Sequence, residues 1–174
     1  MTMSPWNKSR IIGQKRPLQI SHIWGIRIRL EREGKVCDLV LFNMALDSKL
    51  RGCDLVKLKV SDVAYGHSVS GRATVLQQKT GSPVQFELTK GTRESVAAWI
   101  KMAHLRSGDY LFQSRVGSER HISTRQYNRI FHEWIEKLGL DDSLYSTHSM
   151  RRTKPYLIYK KTKKSVGNPA TVGS

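Results

Sequence analysis

A mainly helical fold with one small β element (α+β) is what this sequence predicts, and three observations predict it. Apolar residues recur three and four positions apart over most of the chain. The period changes to two only between Arg72 and Leu88, and no internal repeat or low-complexity tract interrupts either pattern. At 174 residues the chain is long enough for one domain with a real core and too short for two substantial ones.

Met1 to about Leu18 is polar and basic, with Pro5 and Pro17, and reads as a loose arm. Ser21 is positioned to cap a helix in which Ile23, Trp24, Ile26 and Ile28 or Leu30 alternate with arginines, and Gly34 ends it. Val36 to about Lys49 is a second helix, with Val36, Leu39, Val40, Phe42 and Leu46 on an apolar face and Asn43 as its polar interruption. A tight basic corner, Lys49 to Leu55, leads into Val56–Val60. Arg72–Gln78 and Pro83–Leu88 alternate as strands around Lys79-Thr80-Gly81-Ser82, a turn with glycine where positive φ is needed. Thr89 to about Leu105 reads as a helix that turns Val96, Ala97, Trp99 and Ile100 inward, and Tyr110–Phe112 as a short extended piece. Ser123 caps a helix running to Leu138 and stopped by Gly139. Its Tyr127, Ile130, Phe131, Trp134, Ile135 and Leu138 recur at helical spacing and belong to the core rather than to a base-stacking platform. A last helix starts near Thr147.

Lys and Arg number 30 against 14 Asp and Glu, a formal net charge of +16. Such an excess opposes compaction and is kept when the partner is polyanionic, so nucleic acid is the expected partner. A solvated basic surface and an RNA-scaffold protein are the plainer alternatives. Cys37 and Cys53 make neither a disulfide framework nor a paired metal motif and suit a reducing interior. No long apolar run follows the basic N-terminal residues, so neither a signal peptide nor a membrane span is expected, and the protein reads as cytoplasmic.

The stretch with most chemical content is Ser146-Thr147-His148-Ser149-Met150-Arg151-Arg152. On a helix, residues three apart share a face, so His148 and Arg151 point at one target. A phosphodiester fits that pair: arginine offers a planar fork of donors, and imidazole exchanges a proton near neutral pH. Each position taken alone has a plainer reading. Arg51 in the corner reads as a surface arginine, Lys79 as a solvated lysine at a hairpin tip, and His148 as a satisfied core histidine. Arg151 and Arg152 read as part of a basic helix face.

Their order and setting carry more. Ala45–Leu55 is similar to the helix, corner, arginine, acidic residue and leucine of the tyrosine recombinases, the phage-integrase family. Gln77-Gln78-Lys79-Thr80-Gly81 resembles that family's mobile lysine on a hairpin. Thr147–Lys154 resembles its His-x-x-Arg helix. The resemblance spans roughly Leu18 to Lys163 and is nearest to the short integrases without a separate core-binding domain. It implies that Arg51 and Arg151 grip the non-bridging oxygens of a scissile phosphate. It further implies that Lys79 protonates the departing 5′ oxygen and that His148 assists by hydrogen bonding or proton transfer. Asp54 would buttress the Arg51 corner. No metal or other cofactor is implied, and the chain offers no convincing carboxylate cluster for one. The implied partners are double-stranded DNA and other recombinase protomers. Arg152, Lys154, Lys160, Lys161 and Lys163, with Lys164, would line a track along the DNA backbone that adds salt-dependent affinity without sequence readout.

The family nucleophile is a tyrosine well downstream of His-x-x-Arg, beyond a Leu-Gly-His motif. Tyr156 and Tyr159 are the only tyrosines after the motif here, and they lie too early to be its counterpart. Residues 164–174 are expected to leave the helical pattern, since Gly167, Pro169 and Gly173 oppose a buried amphipathic helix. Reading one nucleotide into the Lys164 codon, codon degeneracy permits N-L-S-A-I-Q-L-L-L-G-H, similar to the family continuation. An extra nucleotide in the adenine run at Lys163–Lys164 is therefore expected. Pro155 is expected to disturb the helix by removing a hydrogen bond to the Arg151 carbonyl. The expected organisation is an arm (1–18), a catalytic domain (19–163) and an aberrant tail (164–174). The expected function is a recombinase catalytic domain that binds DNA without cleaving it. The alternative is a non-catalytic basic protein that occupies recombination sites or binds RNA.

Overall fold

The computed structural model describes residues 14–166, and the helix Val36–Ser48 lies at its centre. Every residue of that helix from Val40 to Ser48 is buried. The one-sided apolar face expected from the spacing is thus replaced by burial all round, because other elements pack against it from several directions. In chain order the elements are α1 (Ile20–Arg32), α2 (Val36–Ser48), α3 (Gly52–Leu55) and α4 (Val60–Val63), followed by β1 (Ala64–Tyr65), β2 (Ser68–Val69), β3 (Arg72–Leu76) and β4 (Pro83–Glu87). Then come α5 (Lys90–Met102), β5 (Gln113–Ser114), β6 (Gly117–His121), α6 (Thr124–Lys137), a 3-10 turn (Asp142–Leu144) and α7 (Thr147–Val166). The fold is mainly helical with small antiparallel sheets, as the sequence predicts. None of the described helices is long and apolar enough to cross a membrane.

Helix α1 starts after Gln19, two residues before the expected Ser21 cap. Tertiary anchoring sets the start. Leu18 is fully buried and its backbone N–H donates to Thr153 Oγ1 at 3.0 Å, while the Gln19 N–H donates to Nδ1 of His22 at 3.1 Å. Gln14–Leu18, the described part of the expected arm, is tied down: the Arg16 N–H donates to the Leu144 carbonyl at 2.9 Å. On α1 the buried stripe is Ile23, Ile26 and Leu30, whereas Trp24 and Ile28 face outward. Gly34 ends this segment at φ +66°.

The three sheets are two-stranded and antiparallel. β3 and β4 pair from Arg72↔Glu87 to Leu76↔Pro83, with the facing pair Ala73 and Phe86 buried. β1, β2 and β5 are two residues long, too short to show an alternation in sequence. Of the expected extended piece Tyr110–Phe112, only Tyr110 bridges, to Lys59, and the chain bends at Leu111 and Phe112, which are fully buried; the Leu111 N–H donates to the Leu58 carbonyl at 2.8 Å.

On α5 Val96 is buried and the Trp99 indole N–H donates to the Leu111 carbonyl at 2.9 Å, but Ala97 is exposed, against expectation. The core stripe through Thr92, Val96, Trp99 and Ile100 leaves position 97 to its side. α6 matches the prediction. Ser123 Oγ accepts from the Gln126 N–H at 3.0 Å, Tyr127, Ile130, Phe131, Trp134 and Ile135 are buried, and Gly139 takes φ +71°. Trp134 meets Phe42 of α2 edge to face at 5.4 Å between ring centroids. Helix α7 runs unbroken through exposed Pro155 and on to Val166, past the limit expected at 163. Proline leaves the Arg151 carbonyl without its helical donor, yet the ring is accommodated on the exposed side of the helix. Residues 1–13 and 167–174, which hold most of the expected arm and tail, lie outside the described residues.

Candidate functional site

Three pieces of chain form the site, and each has a local reason for its shape. The first is the corner after α2. Lys49 adopts a left-handed φ of 54° that ends the helix. Leu50 and Leu55 are buried and pin the following turn, and the Arg51 carbonyl accepts from the N–H groups of Asp54 and Leu55 at 3.0 and 2.9 Å. Arg51 is half-buried, with Nη1 enclosed and without a hydrogen-bond partner among the described residues.

The second piece is the β3–β4 turn. The Gln77 N–H donates to the Ser82 carbonyl at 2.9 Å, the Gly81 N–H donates to the Gln77 carbonyl at 2.8 Å, and Gly81 sits at φ +65°. Lys79 is exposed at its tip. Buried Asp54 joins this turn to the corner, because its Oδ1 accepts from the Gln78 backbone N–H at 2.9 Å. The Lys57 ammonium donates to the Gln78 side-chain oxygen. Asp54 thus buttresses more than the arginine corner: it fixes the hairpin to it.

The third piece is the first turn of α7. Ser146 Oγ accepts from the His148 N–H at 3.2 Å, and Ser149 Oγ accepts from the Ser146 N–H at 3.1 Å, a reciprocal cap. Ser149 and Met150 are buried beneath, so His148 is held outward. Arg151 Nε donates to the Lys49 carbonyl at 3.0 Å, and Arg152 Nη1 donates to the Lys15 carbonyl at 2.9 Å.

Between the three pieces lies a cavity of about 740 Å³ lined by Lys49, Gln77, Gln85, His148, Arg151 and Arg152, with Ser48, Val84 and Gln14. Its described lining holds four cationic or titratable side chains and no carboxylate, the electrostatics of an anion site. Of the residues singled out in sequence, His148, Arg151 and Arg152 meet here. Arg51 and Lys79 do not line the cavity; each lies two positions from a residue that does, Lys49 and Gln77. The sequence reading missed Lys49, Gln77 and Gln85. Gln77 closes the same turn that carries Lys79, where strand periodicity no longer says which way a side chain faces. Nothing in the sequence marks Lys49 as left-handed.

The expected basic track divides. At 100° per residue, Arg152 and Lys163 fall on the His148 side of α7, whereas Lys154, Lys161 and Lys164 fall on the opposite side. Lys154 pairs with buried Asp47 at 3.9 Å, and Lys160 donates to Gln19 Oε1 at 3.4 Å above the Tyr156 ring. Tyr156 accepts from Gln19 Nε2 at 3.4 Å, and Tyr159 is exposed.

The family model described as the phage integrase family matches residues 19–162. The chain belongs to the phage integrase family. A probable integrase/recombinase of Bacillus subtilis (strain 168), YoeC, is 28% identical over 126 residues, covering 72% of this chain and 65% of that protein. The integrase-family fold is also clear in solved structures. The XerA recombinase aligns at TM-score 0.69 and 14% identity over 87% of this chain and 52% of its own. The lambda integrase catalytic core aligns at TM-score 0.63 and 20% identity over 85% of each. The XerH site-specific recombinase bound to a palindromic difH substrate aligns at 0.67 and 16% identity, over 87% of this chain and 44% of that one. The chain therefore spans about two thirds of the curated relative and about half of the longer recombinases. Its fold is that of the tyrosine-recombinase catalytic domain.

Proposed function

We propose that this chain binds duplex DNA and grips one phosphodiester with the phosphate-activating residues of a tyrosine recombinase, without carrying out the covalent step by itself. The observation that supports this best is the cavity, with no carboxylate in its described lining, that gathers His148 and Arg151 beside the Arg51 corner. Arg151 holds a non-bridging oxygen from the cavity, and Arg51, two positions from the lining residue Lys49 and with its Nη1 enclosed, reaches a second once its corner opens to the phosphate; together they offset charge as phosphorus becomes five-coordinate. His148 donates to, or exchanges a proton with, the same group, and Lys79, on a tip tied down through Asp54, protonates the departing 5′ oxygen. Arg152 and Lys163 extend the cation surface along the backbone.

In the complete family reaction a tyrosine oxygen attacks phosphorus, a 3′-phosphotyrosine bond forms, and the bond to the 5′ oxygen breaks. Tyr159 shares the His148 side of α7 but stands eleven residues along it, about 16 Å at the helical rise, too far to attack a phosphate bound beside His148. Binding of this kind makes the chain an occupant of recombination sites, in company with other recombinase protomers as in the lambda integrase tetramer bound to a Holliday junction.

The test is a binding competition between duplex DNA and structured RNA over a salt series, joined to a nicked suicide DNA substrate. Expected results are preference for the duplex, loss of about ten-fold or more in affinity for Arg51→Ala and for Arg151→Ala, and no covalent adduct. Unchanged affinity in both variants removes the phosphate pocket. Preference for RNA removes the DNA assignment, and a trapped adduct removes the non-covalent one.

A further inference from the structure

On α7 Arg151 stands between His148 and Lys154, about 60° round the helix from each, and Arg152 lies beyond His148. Two tethers therefore flank the His148–Arg151 pair. Arg152 is held by the Lys15 carbonyl at 2.9 Å, and Lys154 by Asp47 at 3.9 Å. Asp47 is the unusual member: a carboxylate only 5% exposed, in the last turn of α2, two positions before the Lys49 carbonyl that takes Arg151 Nε. Burying a carboxylate is costly unless its oxygens find partners. Oδ2 accepts the Thr89 N–H at 2.8 Å and the Thr89 hydroxyl at 3.0 Å, at the N-cap of α5. Oδ1 faces the Lys154 ammonium. Neighbouring charges are committed elsewhere. Arg27 Nε donates to Asn43 Oδ1 at 2.9 Å, and Glu87, which lines a small cavity with Lys154, pairs with Arg72 at 2.8 Å.

The Thr89 contact is complete with one oxygen; the other joins the end of α2 to α7. We propose that Asp47 is a positioning residue: through Lys154 it fixes the roll of α7, and so keeps Arg151 on the Lys49 carbonyl and turned to the phosphate. The inference rests on the phosphate grip proposed above, and it assigns Lys154 to the protein rather than to the DNA backbone. Buried Met150 and Thr153 hold α7 down on the core. A roll about that contact displaces a long outward side chain most, and one hydrogen bond from Arg151 would serve as a pivot. The second attachment, three residues along the helix and on the same corner of α2, removes that freedom.

The test is duplex DNA binding by two variants, alone, together and in an Arg151→Ala background. Asp47→Asn keeps an oxygen for Thr89 and turns an amide N–H toward Lys154, so it releases the ammonium with the α5 contact in place. Lys154→Met keeps the stem and removes the ammonium; at a half-buried position it carries the same test should Asp47→Asn fail to fold. Each is expected to weaken binding about five-fold, less than Arg151→Ala, because the arginine is misdirected rather than lost. The double variant matches either single, and neither adds to the loss in Arg151→Ala. The salt slope of binding stays unchanged in Lys154→Met, whereas a lysine on the DNA backbone contributes about one unit to it. The Arg151 Nε–H exchanges faster in both variants by NMR, while amides of α6 keep their protection. Full affinity in both variants, with Arg151→Ala still weakened, overturns the positioning role and leaves the phosphate grip standing. Losses that add to that of Arg151→Ala, or a slope lower by about one in Lys154→Met, make Lys154 a direct DNA contact instead. Unchanged affinity in Arg151→Ala removes the phosphate grip and the positioning role with it.

Discussion

Arg151 donates from Nε to the carbonyl oxygen of Lys49 at 3.0 Å, across 102 positions of sequence, and Lys49 holds that carbonyl in place through a left-handed φ of 54°. One nitrogen of the guanidinium is therefore committed to the protein, and the terminal pair remains for an anion. The bond also couples two of the family motifs, because the corner that carries Arg51 and the helix turn that carries His148 share it.

Arg151→Lys separates charge from geometry. Lysine keeps the cation but has no Nε–H to spend on Lys49 while facing a phosphate with two others. Duplex affinity should fall about ten-fold, near 1.4 kcal/mol, with little change in unfolding midpoint. An affinity equal to the native chain's would mean that the Lys49 contact does not orient the arginine.

The backbone at Lys49 gives a second test. Asparagine tolerates a left-handed φ and a β-branched residue does not. Lys49→Asn and Lys49→Val both remove the charge, so their difference isolates conformation. Val should be less stable than Asn by about 1–2 kcal/mol in urea denaturation, and equal midpoints would contradict the left-handed assignment.

Asp54→Ala unties the hairpin from the corner. The Gln78 N–H loses its acceptor, which at an exposed turn costs about 0.5–1.5 kcal/mol. Amide exchange at Gln78 should accelerate while amides of α6 keep their protection, measured by hydrogen exchange. Unchanged exchange at Gln78 would show that the turn holds itself.

His22 makes stability depend on pH. Burial lowers its pKa below the ordinary 6.5, and the neutral ring accepts the Gln19 N–H at the start of α1. Above pH 6.5 the ring is neutral in both states and the contribution is complete. As pH falls through that value the unfolded chain takes the proton first, so stability declines. The midpoint should drop between pH 7 and pH 5 and do so less in His22→Ala. A His22 pKa above 6.5 by NMR would reverse the sign.

Burial pushes the Cys37 thiol up to about 12. Only the thiolate reacts, so alkylation by iodoacetamide at pH 7.5 should be slower than for a free cysteine by roughly three orders of magnitude. Mass spectrometry of the intact chain and its peptides reads this directly, and rapid labelling at Cys37 would show that the N-terminal turn of α2 opens.

What the sequence determined by itself was what local spacing can encode. The 3.6-residue period of α6 with its Ser123 cap, the two-residue period around Gly81, and the order of the three motifs were legible because each depends on residues a few positions apart. Tertiary structure alone decided the rest. Periodicity shows that a helix has an apolar side but not how many neighbours will cover it. α2 is therefore buried all round, and Trp24 and Ala97 face outward. A lysine in sequence is only a cation. Packing set Lys154 against Asp47 and divided the basic residues of α7 between the anion cavity and the opposite side of the helix. The start of α1 was fixed from 135 positions away, where Thr153 accepts the Leu18 N–H. Such choices follow from which surfaces meet in space, and no short window of sequence carries that information.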